Sequence, residues 1–226
     1  PENLKKLEEI RQNHQNHAAS EKLAIVWLSY NVHGNESSGT EAAMQTAYRL
    51  LTDKAAYLAN TIVIIDPCLN PDGRDRYVNF YQQYGNAPAD IHKFSAEHKE
   101  PWPSGRPNHY LFDLNRDWAW MTQIESEQRV QRYNQWLPHV HVDFHEQGIN
   151  EPYYFPPAAE PYHEVITNWQ RDFQKEIGGN HASYFDKEGW LYFSKEIFDL
   201  LYPSYGDTYP TYSGSIGMTY EQGGSG

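Results

Sequence analysis

The sequence predicts a three-layer α/β/α sandwich around a mixed, mainly parallel central sheet, and three observations predict it. Two apolar runs of strand length, Ala24–Tyr30 and Thr61–Asp66, are nearly continuous and read as strands covered on both faces. Segments of helical spacing alternate with them, as in a parallel sheet with crossover helices. The 226 residues, 39% hydrophobic and 21% charged, suit one substantial core and exclude a disordered or fibrous class.

Each element has its own reason. From Asn3 to His14, Leu4, Leu7 and Ile10 fall on one helical face among charged residues. After the first strand, Gly34 to Gly39 makes a turn, and Thr40 to Leu51 reads as a helix through Ala43, Ala47, Leu50 and Leu51. Pro67 ends the second strand, and Asn70-Pro-Asp-Gly73 reads as a turn, because Pro fixes the entry angle and Gly accepts positive φ. The stretch from Tyr77 to Tyr110 is polar, aromatic and proline-punctuated without a period, which predicts a long functional loop. Thr122 to Trp136 is an amphipathic helix, followed by a strand over His139 to Phe144. Glu160 to Ile177 is predicted as a helix closed by Gly178-Gly179, and Ile216 to Glu221 as a last short strand.

Composition narrows the function. A formal net charge of −12 argues against a nucleic-acid partner, which needs clustered Lys and Arg. No apolar run reaches the ~20 residues needed to span a bilayer. The one cysteine, Cys68, excludes an internal disulfide framework and a cysteine-based zinc site, and it sits where a small buried hydrophobe is expected. Pro1 and the Gly223-Gly224-Ser225-Gly226 run look like arbitrary ends. The expectation is a single domain over residues 1–226, cut from a longer protein. Such a cut would leave an apolar patch near the two termini, away from any cleft.

Polar residues gather where the predicted strands end, which is where ligands bind in open parallel sheets. His33 and Glu36 follow the first strand, and imidazole nitrogen and carboxylate oxygen both suit zinc. Alone, the pair reads equally as a polar strand-to-helix loop, with Glu36 favoured near a helix N-terminus. His139, His141, Asp143 and His145 share one strand face. Asp143 and Asp113 are candidates to fix a ligand imidazole from behind. Glu221 ends an apolar strand, where a buried carboxylate needs a partner. Asp113-Leu-Asn-Arg-Asp117 is dense in groups that grip a carboxylate, although Arg116 could instead pair with either aspartate on the surface.

Together these pieces resemble the zinc metallocarboxypeptidases of the carboxypeptidase A type. The family's H-x-x-E reads as His33-Gly-Asn-Glu36, its N-P-D-G as Asn70-Pro-Asp-Gly73, and its D-x-N-R as Asp113-Leu-Asn-Arg116. Its third zinc histidine looks like His145 in Asp143-Phe-His145, and its late strand bearing the general base looks like Thr219-Tyr-Glu221. The resemblance runs from about Ala24 to the end, with all five motifs in the family's order. It implies a carboxypeptidase-like fold and one Zn2+ per chain held by His33, Glu36 and His145, with Glu221 as general base.

The resemblance further implies that Asn115 and Arg116 bind the substrate's terminal carboxylate and that Asp113 supports a ligand histidine. The oxyanion-stabilising arginine would be Arg106, seven residues before Asp113, with Arg74 and Arg76 as alternatives. The tyrosine that closes over substrate would be Tyr202, four residues before Gly206, or its competitor Tyr205. The reaction implied is hydrolysis of the C-terminal peptide bond of a peptide or protein by zinc-activated water, with secretion or a periplasmic location expected. The same ligands would serve an amidohydrolase of the desuccinylase and aspartoacylase type, and the fold could also persist as a non-catalytic peptide-binding module. The chain departs from the family before its first strand and after Glu221. Its Tyr-, Pro-, Ser- and Gly-rich stretch from Tyr202 to Glu221 leaves substrate preference open.

Overall fold

The structure is a computed structural model that describes residues 2–15 and 23–223. Among the described residues six strands form one sheet: β1 (Ala24–Tyr30), β2 (Thr61–Asp66), β3 (Val140–Gln147), β4 (Tyr153–Tyr154), β5 (Tyr192–Phe193) and β6 (Ile216–Gly223). Their spatial order is β2-β1-β3-β6-β4-β5. The pairs from β2 to β6 are parallel, β4 runs antiparallel to β6, and β4 pairs parallel with β5. The mixed, mainly parallel sheet of the sequence reading is therefore present.

Helices α1 (Glu2–Gln15), α2 (Ser37–Leu51), α3 (Pro71–Tyr84), α4 (Ile124–Trp136), α5 (Asn168–Glu188) and α6 (Thr208–Tyr212) accompany it. Strand alternation divides the core in two. On one face Val142, Ile216 and Met218 pack with Phe173 and Ile177 of α5. On the other, Trp27 and Trp118 pack with Val130 and Tyr133 of α4 and with Tyr209 of α6. Burying this apolar surface on both sides is what makes the strands read as uninterrupted apolar runs.

Two helices differ from the sequence reading. Asn70 to Gly73 is not a free-standing turn but the start of α3: the Asn70 side chain accepts from Gly73 N at 2.9 Å, and Pro71 occupies the first turn. The polar stretch after Tyr77 is thus helical as far as Tyr84. The predicted helix over Glu160 to Ile177 lies further on. It begins after Thr167, whose side chain and Gln170 form a capping box, and it runs through Gly178-Gly179 to Glu188. Gly178 serves packing instead of termination, since a Cβ there would lie 2.1 Å from the Pro156 carbonyl oxygen.

A largely apolar hollow of about 410 Å³ lies between α2 and α5, lined by Leu28, Tyr30, Phe144, Phe155, Phe185 and Tyr220. It borders Glu36, His145 and Glu221. Pro1 and Gly224 to Gly226, on which the expected patch near the termini rested, lie outside the described residues. No helix among the described residues is long and apolar enough to cross a membrane.

Candidate metal centre and substrate cleft

The loop after β1 is organised by Asn31, a buried residue with φ of 59°. Its side-chain amide donates to the carbonyls of His33, Gly34 and Glu36, at 3.2–3.4 Å. Gly34 allows this loop to touch the start of α3, because a Cβ would lie 2.1 Å from Arg74 N and Gly73 C. Glu36 occupies the N-cap position of α2, yet its side chain makes no capping bond. The carboxylate turns inward instead. Cys68 donates to Asn31 Oδ1 at 3.2 Å, and burial pushes its thiol pKa up, which makes it an inert structural thiol.

Glu36 is the hub of the site. Its Oε1 lies 2.6 Å from His33 Nδ1, and its Oε2 lies 3.1 Å from His145 Nδ1 and accepts from Glu146 N at 3.1 Å. The ligating atoms of His33, Glu36 and His145 all fall within 4.8 Å of one another. Each imidazole has a carboxylate behind it: His33 Nε2 is 3.1 Å from Asp113 Oδ1, and His145 Nε2 is 3.0 Å from Asp143 Oδ2. An Nε2–H donated to each aspartate leaves both Nδ1 lone pairs aimed at the Glu36 carboxylate. With neither Nδ1 protonated, three acceptors face one another, and this donor set fits a cation such as zinc.

Charge follows the geometry. Burial alone would raise the Glu36 pKa, but His33 and His145 hold it far below the usual range. Burial would likewise lower His145, yet Asp143 and Glu36 raise it well above an ordinary histidine. Asp113 is held low against its burial by His33 and Arg106. These clustered carboxylates are the complement of a bound dication.

Glu221 reaches the same place through register. Parallel pairing of β3 and β6 sets His145 beside Glu221 and Asp143 beside Thr219. Glu221 is buried, its Oε2 has no hydrogen-bond partner, and burial first, with Glu36 and Asp143 adding to it, pushes its pKa up to about 7. A carboxylate with that affinity can take and return a proton near neutrality.

His33, Glu36, His145 and Glu221 line one cleft of about 280 Å³ with Arg106, Asn115, Arg116 and Tyr205. Arg106 bonds Asp113 Oδ2 at 2.8 Å, and its Nη1 lies 3.3 Å from His33 Nδ1. Arg74 and Arg76 are engaged elsewhere, with Glu41 and with the carbonyls of Ser104 and Asn108. Asn115 accepts from Gly206 N at 2.8 Å, and its Nδ2 is 3.4 Å from His145 Nε2. Arg116 makes no ion pair among the described residues. Asp113 is taken by His33 and Arg106, and Asp117 by Thr122 and Gln123. The exposed guanidinium instead stacks 4.6 Å over the Tyr205 ring. Tyr202 stands off the cleft, its hydroxyl accepting from Trp120 Nε1 at 2.8 Å.

Sequence reasoning passed over Asn31, Asp199 and Asp207. Asp199 and Asp207 line the cleft with Ile197, Phe198 and Thr219. Nothing local marks them, because the chain folds back to bring them there.

A family model described as zinc carboxypeptidase matches residues 5–186. That span holds His33, Glu36, Asp113 to Arg116 and His145, and it ends before Tyr202, Tyr205 and Glu221. Among solved structures, the chain is similar to a metallo-carboxypeptidase from Burkholderia cenocepacia (14% identity, TM-score 0.55, covering 90% of this chain and 48% of that one). It is also similar to carboxypeptidase A from Helicoverpa armigera (16% identity, TM-score 0.58, covering 89% and 52%). Bovine thrombin-activatable fibrinolysis inhibitor, in complex with a tick carboxypeptidase inhibitor, aligns at 14% identity and TM-score 0.56, covering 89% and 72%. At these identities the likeness is one of fold, and the chain spans about half the length of the first two. A search of curated protein sequences finds no match.

Proposed function

Because the chain belongs to the zinc carboxypeptidase family, we propose that it hydrolyses the C-terminal peptide bond of peptides or proteins, with one zinc ion held by His33, Glu36 and His145. Bound there, zinc supplies Lewis acidity, which acidifies water and polarises a carbonyl. The chain's own groups supply the rest. Glu221, with its free Oε2, accepts the proton of the attacking water and returns it to the leaving amine nitrogen. Arg106, anchored by Asp113 beside His33, places a cation where the scissile carbonyl oxygen gains charge.

Arg116 and Asn115 receive the terminal carboxylate. The Arg116 fork lines the cleft without an acidic partner among the described residues, its Nη1 donating to the Asn115 carbonyl oxygen at 2.9 Å, and Asn115 lines the same cleft. Holding a carboxylate at a fixed distance from the ligand set restricts cleavage to the last bond. Tyr205 lies at the cleft wall, where closure over substrate would occur, and Tyr202 supports that wall through Arg116 and Trp120.

One observation carries this reading. The β3–β6 register sets a buried Glu221 whose Oε2 has no hydrogen-bond partner among the described residues beside His145, in the same cleft as an arginine without an ion pair among those residues. The test is Glu221→Gln, which keeps the shape but cannot accept the proton. It should retain zinc and fold while kcat falls by about 10³-fold or more. Turnover within tenfold of the wild type at equal zinc content would remove Glu221 from the mechanism.

A further inference from the structure

The same cleft is also lined by Ile197, Phe198, Asp199, Asp207 and Thr219. Asp207 is only 4% exposed. It occupies the N-cap position of α6, but its side chain makes no capping bond to the helix. Instead Oδ1 accepts from Thr208 Oγ1 at 3.0 Å and Oδ2 from Thr219 Oγ1 at 2.8 Å. Both donors are neutral hydroxyls, and a carboxylate offers about four acceptor positions. Neither Asp207 nor Asp199 has an ion pair among the described residues.

A buried carboxylate without a cation is costly. Burial, with repulsion from Asp143 adding to it, raises the Asp207 pKa to about 6, so the group is charged at neutral pH but poorly compensated. Asp199 lies half-buried in the same cleft, with Oδ1 accepting from Leu201 N at 2.8 Å. Ile197 and Phe198 flank it and offer apolar surface to a methylene stem. A cationic head on an aliphatic stem satisfies each of these features. An apolar side chain would leave the Asp207 charge buried without a partner, and an acidic one would meet Asp199, Asp207 and Glu221 together.

We propose that the cleft selects substrates whose C-terminal residue carries a positively charged side chain, such as lysine, arginine or another diamino acid, and that Asp207 recognises that charge with Asp199 assisting. The inference rests on the reading of the cleft as a carboxypeptidase site and names its substrate class.

The experiment compares kcat/KM of the zinc-loaded protein on N-acylated dipeptides ending in Arg, Lys, Leu, Phe and Glu. The expected result is a preference of about 100-fold for Arg or Lys over Phe. In Asp207→Asn the Arg-to-Phe ratio should fall to near one, and in Asp199→Asn by about fivefold. Faster release of Phe or Leu than of Arg or Lys would overturn the proposal. So would an Asp207→Asn variant that slows every substrate equally, the mark of a merely structural residue.

Should Asp207→Asn not fold, Asp199→Lys decides the matter. It should invert the order of Arg and Glu, and an unchanged order refutes the inference. Calorimetric binding of the same peptides to Glu221→Gln separates the two levels of argument. If the wild type hydrolyses none of them, the carboxypeptidase reading fails, while the ratio of Arg to Phe affinity still supports or refutes the charge preference.

Discussion

Replacing Asp143 by Asn tests the arrangement behind His145 without altering its shape. Asp143 is fully buried, and its Oδ2 lies 3.0 Å from His145 Nε2. At an effective dielectric of about 20, a unit negative charge behind the ring and on the order of 6 Å from a dication on Nδ1 contributes roughly 5 kcal/mol. The Asn amide oxygen stays within reach of Nε2–H, and Glu36 shares the charge on the ligand set, so only part of this is lost. A loss of roughly 1.5–3 kcal/mol in zinc binding is expected, which weakens affinity about 10- to 100-fold. Burial places the result toward the upper end, because water cannot move in to replace the charge. The assay is competition with a calibrated zinc chelator at fixed pH, with circular dichroism confirming the fold. A change below about threefold in a folded variant would refute the claim that Asp143 sets the tautomer and basicity of His145.

Three further outcomes follow from the structure. Gly178→Ala should destabilise the domain by roughly 2 kcal/mol or more in denaturant unfolding, because its Cβ meets the Pro156 carbonyl. Gly179→Ala, with nothing within 4 Å of its Cβ, should be neutral or stabilise by up to about 1 kcal/mol. The third concerns His141, which is fully buried with no hydrogen-bond partner among the described residues. Burial lowers its pKa to about 3 from 6.5. The folded state then binds fewer protons than the unfolded one between those values, so its contribution to stability is present above about pH 6.5 and is lost as pH falls toward 3. His141→Leu should remove about 2 kcal/mol of the wild-type decline between pH 7 and pH 5, read from thermal unfolding at each pH. Parallel pH profiles for the two proteins would contradict this.

The sheet was legible because burial on both faces writes itself into local sequence. Ala24–Tyr30 and Thr61–Asp66 needed no tertiary knowledge, and their ends in the structure match that reading. Helix α3 was hidden because the structure buries only Gly73 and Phe80 of it, so no apolar stripe appears. Its start was nonetheless marked by the Asn70 cap and Pro71. The two glycines of α5 show a different limit. Gly178 and Gly179 look alike in sequence, and only the approach of the Pro156 backbone distinguishes the one that packs from the one that does not. At the site, His33 and Glu36 are three residues apart and could be considered together from sequence. His145 and Glu221 meet only through the β3–β6 register, and Asp207 reaches Thr219 across a strand–helix fold that no local pattern encodes.

The most direct measurement of the central claim uses protein stripped of metal, restored with zinc, and offered one peptide with a free C-terminus and the same peptide amidated. The account predicts release of the last residue from the free peptide only after zinc is restored. It predicts no release from the amidated one, because the Arg116 fork loses its charged partner. Equal cleavage of the two peptides, or cleavage that survives complete removal of metal, would contradict it.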